Sequence, residues 1–538
     1  MKLRLSELRL DLNHDQSDLE REAAKRLGIP PEAIQQLWVL RRAVDARRKN
    51  QIGFVYAVDL VVDESVGRRV LGKNIPSVGL INDAPPSPLF RGSQPMTRPP
   101  VVVGAGPAGI FAALKLAEWG YRPLLLERGP EVEERTRDVA HFWQTGELNP
   151  ESNVQFGEGG AGTFSDGKLT TRIKDYRVGE VLARMVQAGA PEEIAWLHKP
   201  HVGTDVLHRV VVGLRRQLLA LGGRVRFGAR VTGLLYDRGR AGGVIVNGGE
   251  EVPAGTVLMA IGHSARDTYR WLAEQGVAME QKPFAVGLRI EHPQSLIDQA
   301  QYGEFAGHPR LGAADYHLTY HSDKFSRNAY TFCMCPGGQV VAAASEPGGV
   351  VTNGMSKHAR ASGIANSAVV VNVGEEDMGD AHPLAGIEFQ RRLEKAAFLA
   401  GGGGFKAPAQ PVTDFLADRQ PGRLPEAGYP TYLPGTSPAN LREILPEPVG
   451  EVLVEALQVF DRKVRGFGGT KAILTGVETR TSAPVRILRD EDCCSVNTPG
   501  LYPAGEGAGY AGGIVSAAVD GFRVAEALIR RYALPEQE

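Results

Sequence analysis

With 538 residues, 43% of them apolar, the chain is too long for one compact core, and its length predicts about three domains. Lys and Arg number 61 against 62 Asp and Glu, a net charge of -1, which excludes a global attraction to nucleic acid or an anionic membrane and leaves only a local patch open. Four cysteines exclude a disulfide scaffold and fit a reducing compartment. The start, MKLRLSELRL, has no signal-like apolar run and no window reaches about 18 apolar residues, so the chain reads as cytoplasmic, without a membrane span.

Lys2 to Leu12 alternates as a strand does. Ser17, with Glu20 three positions on, predicts a capping box for a helix ending near Gly28. Pro30 and Pro31 open a short helical turn. Two β-rich stretches follow, Leu37 to Ala46 and Ile52 to Val62, around a polar turn at Lys49 and Asn50. Residues 1–84 thus read as a small α/β domain of ferredoxin-like arrangement. Arg41, Arg42, Arg47, Arg48 and Lys49 put five basic residues in nine. A charged strand edge is the ordinary reading of such a run, and an RNA-binding surface is the functional one. Six prolines between Ala84 and Pro100 mark a stiff linker over 85–97.

From Val101 the pattern becomes strand, glycine turn, helix, strand, the start of a parallel sheet. In Val101–Gly109 the three glycines have separate tasks. Gly104 turns the chain, Gly106 leaves room for a pyrophosphate beside Pro107 and Ala108, and Gly109 lets the helix sit close. The helix start offers free N–H groups to phosphate. Glu127, 23 residues after Gly104 and followed by Arg128, ends the next strand where a carboxylate receives ribose hydroxyls. These residues define a dinucleotide site without separating FAD from NAD.

The far end separates them. Leu501 to Glu506, then Gly507 to Ile514 and a small-residue helix, resembles the second FAD signature of the glutathione-reductase-type flavoproteins. The resemblance implies that Glu506, after Gly505, holds a ribityl hydroxyl. It also implies that the helix beginning at Gly513 and Ile514 points its positive end at the N1/O2 edge of the flavin. Most such proteins have Asp at this position. Val257 to His263 resembles the Ala-Thr-Gly strand end of the same proteins, with Ile261 for Thr and Gly262 retained, and the family places a residue like Val231 against the adenine. Gly157 to Leu169 opens with four glycines ahead of a polar stretch, with Gly160, Ala161, Gly162 and Thr163 suited to close approach to a ring or phosphate. This segment, Phe332–Gly338, Thr352–Ser356 and Ala365–Ser367 resemble a family known only as FAD-dependent dehydrogenases, over nearly the whole chain.

Gly401–Gly404 follows a helix-like stretch rather than a strand and reads as a loop. With no second dinucleotide fingerprint, NAD(P)H is expected only as a transient reductant. Cys333 and Cys335 on a strand would face one side and invite a redox dithiol, but the ring is too tight, and a buried structural role is favoured. Cys493 and Cys494 are adjacent, and no Cys/His spacing predicts a metal. Arg289 and Glu291 share one face of a strand ending at His292. Arg289, His292, Arg480 and Lys168 are the candidates for binding or proton transfer, against the plainer reading of a salt-bridged sheet.

The expected architecture is α/β. A Rossmann-type FAD-binding domain is made of 98–275 and 467–538, with an inserted mixed α/β substrate domain over 276–466 capping the flavin. The expected function is FAD-dependent oxidoreduction of an unidentified small organic substrate. Its alternatives are a flavin-dependent RNA-modifying enzyme using the basic N-terminal domain, and a non-catalytic dinucleotide-fold binding protein.

Overall fold

The computed structural model describes residues 1–81, 88–424 and 429–536. The first part of the expected linker, 82–87, lies outside the described residues. The rest of it is not all irregular: Gln94–Met96 is a strand, paired in parallel with the last strand, Tyr532–Pro535.

In chain order the N-terminal unit runs strand Lys2–Asp11, helix Gln16–Leu27, strands Ile34–Asp45 and Gly53–Val62, helix Glu64–Gly72 and strand Val78–Leu80. The sheet order is Ile34–Asp45, Gly53–Val62, Lys2–Asp11, Val78–Leu80, all antiparallel. Leu3 and Leu5 are buried, and so are Leu8 and Leu10, although the parity has changed. A register shift between Leu5 and Leu8 inserts the odd residue that returns the later leucines to the core face. The helix is capped by Asp15 rather than Ser17. Asp15 accepts from the Asp18 N–H at 2.9 Å, and Asp18 accepts from the Asp15 N–H at 3.0 Å. A carboxylate two residues earlier meets the free N–H groups and the positive helix end at once, so Ser17 merely donates to it. Gly28 ends the helix in the left-handed conformation, as its position predicts.

A five-stranded parallel sheet follows, ordered Leu501–Pro503, Val257–Met259, Val101–Val103, Leu124–Leu126, Arg224–Arg226. The strand near the end of the chain, Leu501–Pro503, thus shares a sheet with Val101–Val103, with Val257–Met259 between them. Helices Pro107–Glu118 and Ile514–Arg531 pack on each other, with Phe111 and Phe522 edge to face at 5.4 Å. A three-stranded antiparallel sheet, Val231–Asp237 to Glu250–Pro253, lies beside them in the sequence.

The largest sheet has seven strands, ordered Thr319–Ser322, Arg327–Cys335, Ile364–Val373, Phe284–Pro293, Ile473–Glu478, Ala407–Pro411, Thr436–Pro438. Ile364–Val373 is buried along nearly its whole length, as an interior strand covered on both faces must be. Ile473–Glu478 is an interior member of this sheet, past the expected limit at 466. Among the described residues no helix is long and apolar enough to cross a membrane.

Candidate functional site

The strand Val101–Val103 turns at Gly104, where φ is +99° and a Cβ would lie 2.3 Å from the Ala260 carbonyl oxygen. Gly109 lets the next helix press on that turn, since a Cβ there would lie 1.8 Å from the Gly104 oxygen. Gly106 is different. A Cβ on it would meet nothing nearer than the Gly160 Cα at 3.9 Å, and Gly106, Pro107 and Ala108 open onto a deep cavity. The first N–H groups of the helix thus lie at the cavity wall without intrahelical partners.

Glu127 joins them at the wall, but much of its carboxylate is already used. Oε2 accepts from the Ala105 N–H at 2.8 Å, and Oε1 from the N–H groups of Gly129 and Gly157 at 3.0 Å each. A carboxylate has about four lone-pair sites, so one remains for a ligand hydroxyl. Glu127 therefore both ties the glycine turn to the Gly157 loop and keeps an acceptor in reserve. Arg128 lies over the Phe156 ring at 4.0 Å and pairs with Glu151 and Asp267. Val231, beside Ala229 and Arg230, forms the adjoining wall.

Gly160, Ala161 and Gly162 line the cavity in a short 3₁₀ turn. Thr163 does not reach the wall. Its hydroxyl donates to the Glu158 carbonyl at 3.3 Å and its own carbonyl accepts from Thr204, which turns it inward. The residue that shapes this loop is Arg135, which sequence reasoning missed. Its guanidinium is fully buried and donates to the carbonyls of Asn153, Val154, Gly157, Glu158 and Gly160 at 2.7–3.2 Å. Burial pushes it down to about 10, so it stays charged at neutral pH.

At the other end, Val257–Met259 leads to Gly262 and His263, and Leu501–Pro503 leads to Glu506, all at the same wall. Gly505 stands one layer back. Its N–H donates to Asp520 Oδ2 at 2.7 Å, and Asp520 is held by Arg489, which also donates to the Pro503 carbonyl. Only the burial of an acid within the final helix could have signalled this clamp. Burial pushes the Glu506 carboxyl up to about 7, against the opposing charge of Lys282. Gly512, Gly513 and Ile514 complete the wall, so the helix Ile514–Arg531 begins at the cavity as the helix Pro107–Glu118 does. Burial and the nearby Arg480 and Arg266 push His263 down to about 3, leaving a neutral imidazole with Nδ1 2.8 Å from Ser264 Oγ.

The facing wall includes Lys168, Phe332, Cys333, Asn353, Glu478 and Arg480. Of the predicted chemical residues, Lys168 and Arg480 are therefore on the cavity and Arg289 and His292 are not. Arg289 stands behind the wall, donating to the Cys333 carbonyl at 3.0 Å and Asn353 Oδ1 at 3.2 Å. His292 is fully buried, with Nε2 2.8 Å from the Phe467 carbonyl and burial holding it near 4. It packs among Tyr316 and Phe467, as a core histidine does. Glu291 accepts from both the N–H and the hydroxyl of Thr431. Arg480 is spent on Glu394, Ser264 and Ser345.

Cys333 has φ +47° at a register shift between Phe332 and Cys335, so the strand alternation that would have set the two thiols side by side is broken. Both are free, and burial pushes Cys335 up to about 12. In the basic run, Arg42 lies over the rings of Phe54 and Trp196 and its backbone bonds to Trp196 and His198, while Arg47 pairs with Asp45. Gly401–Gly404 is the loop between the helix Ala385–Ala400 and the strand Ala407–Pro411.

An open glycine cradle at one helix start, a second helix start on the same cavity, and acids with acceptors to spare fit a flavin dinucleotide. Residues 283–481 match the family model described as FAD-dependent protein, C-terminal domain-like, and FAD is the cofactor. Residues 2–61 match a domain of unknown function, DUF8436. The chain is 49% identical over 538 residues, 100% of both chains, to an uncharacterized protein of Clostridium beijerinckii, and it belongs to that protein's family. Among solved structures it is similar to a flavin-dependent brominase (TM-score 0.35, 10% identity, 80% of this chain and 79% of that one). It is also similar to a geranylgeranyl bacteriochlorophyll reductase-like protein of Thermoplasma acidophilum (0.34, 15%, 81% and 78%). At those scores the likeness carries no functional argument.

Proposed function

We propose that this FAD-dependent protein is an oxidoreductase that exchanges a hydride or an electron pair with a small organic substrate, on the two-signature plan of the glutathione-reductase-type flavoproteins. In this reading a Rossmann-type FAD-binding domain is assembled from 98–275 and 467–538. The mixed α/β insertion over 276–466 caps it, the linker is 85–97, and residues 1–84 are a ferredoxin-like domain. The single observation that carries it is that the helices at Pro107 and Ile514 both begin at one cavity, which Phe332, Cys333 and Glu478 of the large sheet also line.

FAD, when bound, supplies the two-electron chemistry. The chain's own groups do the rest. Gly106 and the first N–H groups of its helix hold the pyrophosphate, the spare acceptor of Glu127 takes a ribose hydroxyl, and Glu506 takes a ribityl hydroxyl. The positive end of the helix Ile514–Arg531 favours negative charge beside Gly513. Glu478 is a buried carboxyl at the wall, pushed above the usual range by burial and drawn back by the Arg289 charge, and its Oε atoms are where a proton would be exchanged with substrate. The cap wall keeps water from that exchange.

Anaerobic mixing of the purified protein with NADH and with NADPH, followed at the flavin absorbance, tests the reading. Bleaching by either establishes a nicotinamide-linked enzyme, and bleaching only by another two-electron donor keeps the oxidoreductase and reassigns the reductant. A bound flavin that no donor reduces would favour a non-catalytic binding protein.

A further inference from the structure

The cap end of the cavity carries one cation more than its carboxylates use. Asp166 accepts from Arg360 at 3.0 and 2.5 Å and from the Ser356 hydroxyl. Glu478 has Arg289, and Glu394 is shared by Arg266 and Arg480 at 2.7–3.1 Å. Each carboxylate thus has at least one guanidinium, and Glu394 has two. Among the described residues Lys168 has no hydrogen-bonded carboxylate, only a long ion pair. Its nearest carboxylate oxygen, Asp166 Oδ2, is 3.9 Å away, beyond hydrogen-bond reach, and is already occupied by Arg360. The Lys168 ammonium lies on the wall with its side chain 31% exposed, beside the Asp166 carboxylate that Ser356 and Arg360 of the insertion hold, which places it at the cap end.

An ammonium in that position is tolerable while water reaches it. Once a ligand covers it, a neutral ligand would strand the charge in a poorly solvated site, whereas an anion repays the lost hydration. The remaining donors suit one small charge. Arg128, Arg230 and Arg480, the other cations at the wall, are engaged with acids. Asn353 Oδ1 already accepts from Arg289 and the Gly354 N–H, so its NH₂ is the group left to donate. Phe332 and Cys333 beside it offer an apolar surface. Resting on the flavin reading above, we propose that Lys168 anchors a carboxylate-bearing organic substrate at the cap end of the cavity, its apolar body against Phe332 and Cys333. Lys168, rather than Arg289 or Arg480, is then the specificity-determining cation.

The test is a titration of the flavin-loaded protein with benzoate, with its uncharged counterpart benzamide, and with inorganic phosphate at matched ionic strength, each followed by perturbation of the flavin absorbance. The proposal expects saturable perturbation by benzoate and none by benzamide or phosphate. Lys168→Met should weaken benzoate by about tenfold or more, the scale of one charge-assisted hydrogen bond, with flavin content unchanged. Lys168→Arg, which preserves the charge, should retain most of the response. No benzoate response, an equal response to phosphate, or an unaltered response in Lys168→Met would overturn it. So would loss of flavin in Lys168→Met but not Lys168→Arg, which would assign the ammonium to the cofactor. Wild-type protein that holds no flavin fails the underlying reading instead, and calorimetry with benzoate on that protein, with Lys168→Met as the control, then decides the site by itself.

Discussion

Arg289 stands directly behind Glu478. Its Nε lies 3.3 Å from Oε2 and its Nη2 3.5 Å from Oε1, both side chains are buried, and only the carboxylate reaches the cavity wall. The acid that faces the cavity is thus backed by a cation that does not line it.

Removing one partner of such a pair leaves a buried charge alone. Arg289→Met should cost about 3–5 kcal/mol of stability, while Glu478→Gln costs less and the double change to Met and Leu is close to neutral. Urea unfolding of the three variants measures this. A double variant as unstable as Arg289→Met would show that the pair is not the unit described.

The glycines of the first turn should separate folding from cofactor binding. Gly109→Ala places a Cβ against the Gly104 oxygen and is expected to disrupt the fold. Gly106→Val projects into open space and should fold normally while losing most of its flavin. The absorbance ratio of flavin to protein, read beside the circular dichroism of each variant, tests the contrast.

Arg135 is expected to matter as much as any glycine. Arg135→Met strips five carbonyls, four of them buried, of their shared donor and should cost about 3 kcal/mol or more, with loss of flavin, because the Gly157–Gly162 loop loses its centre. Thermal melting and flavin content together check it.

Burial raises the Glu291 carboxyl from 4.5 to about 7, so the folded state holds its proton more tightly than the unfolded chain does. The stabilisation is complete below pH 4.5 and is lost as pH rises through 7. Its upper limit is about 3 kcal/mol. Glu291→Gln should flatten the pH dependence of urea unfolding over that window. A wild-type profile that rises from pH 4.5 to 7 by the same amount in both proteins would refute the assignment.

What could be read from the sequence was local. Gly104, Gly106 and Gly109, with Glu127 at the end of the following strand, mark their site through spacing alone, and so do the three strands and the first helix over residues 2–62, though not the helix Glu64–Gly72 or the strand Val78–Leu80. What escaped depends on contacts between distant segments. Arg480 is neutralised from Glu394, Ser264 and Ser345, and Asp520 clamps Gly505 across a strand-to-helix turn. Arg289 and His292 looked equivalent to Lys168 as candidates because strand periodicity gives a face but not what lies against it. The bulge at Cys333 and the Asp15 cap were lost for the opposite reason: each is a one-residue choice between near-equal local alternatives.

The claim that one cavity, begun at Gly106 and finished at Glu506, holds the dinucleotide is tested most directly by stripping the protein of flavin and titrating it with FAD and with FMN. One FAD per chain should bind, with FMN much weaker because it cannot reach the wall at Glu127 and Val231. Equal affinity for the two, or no uptake of FAD, would contradict it.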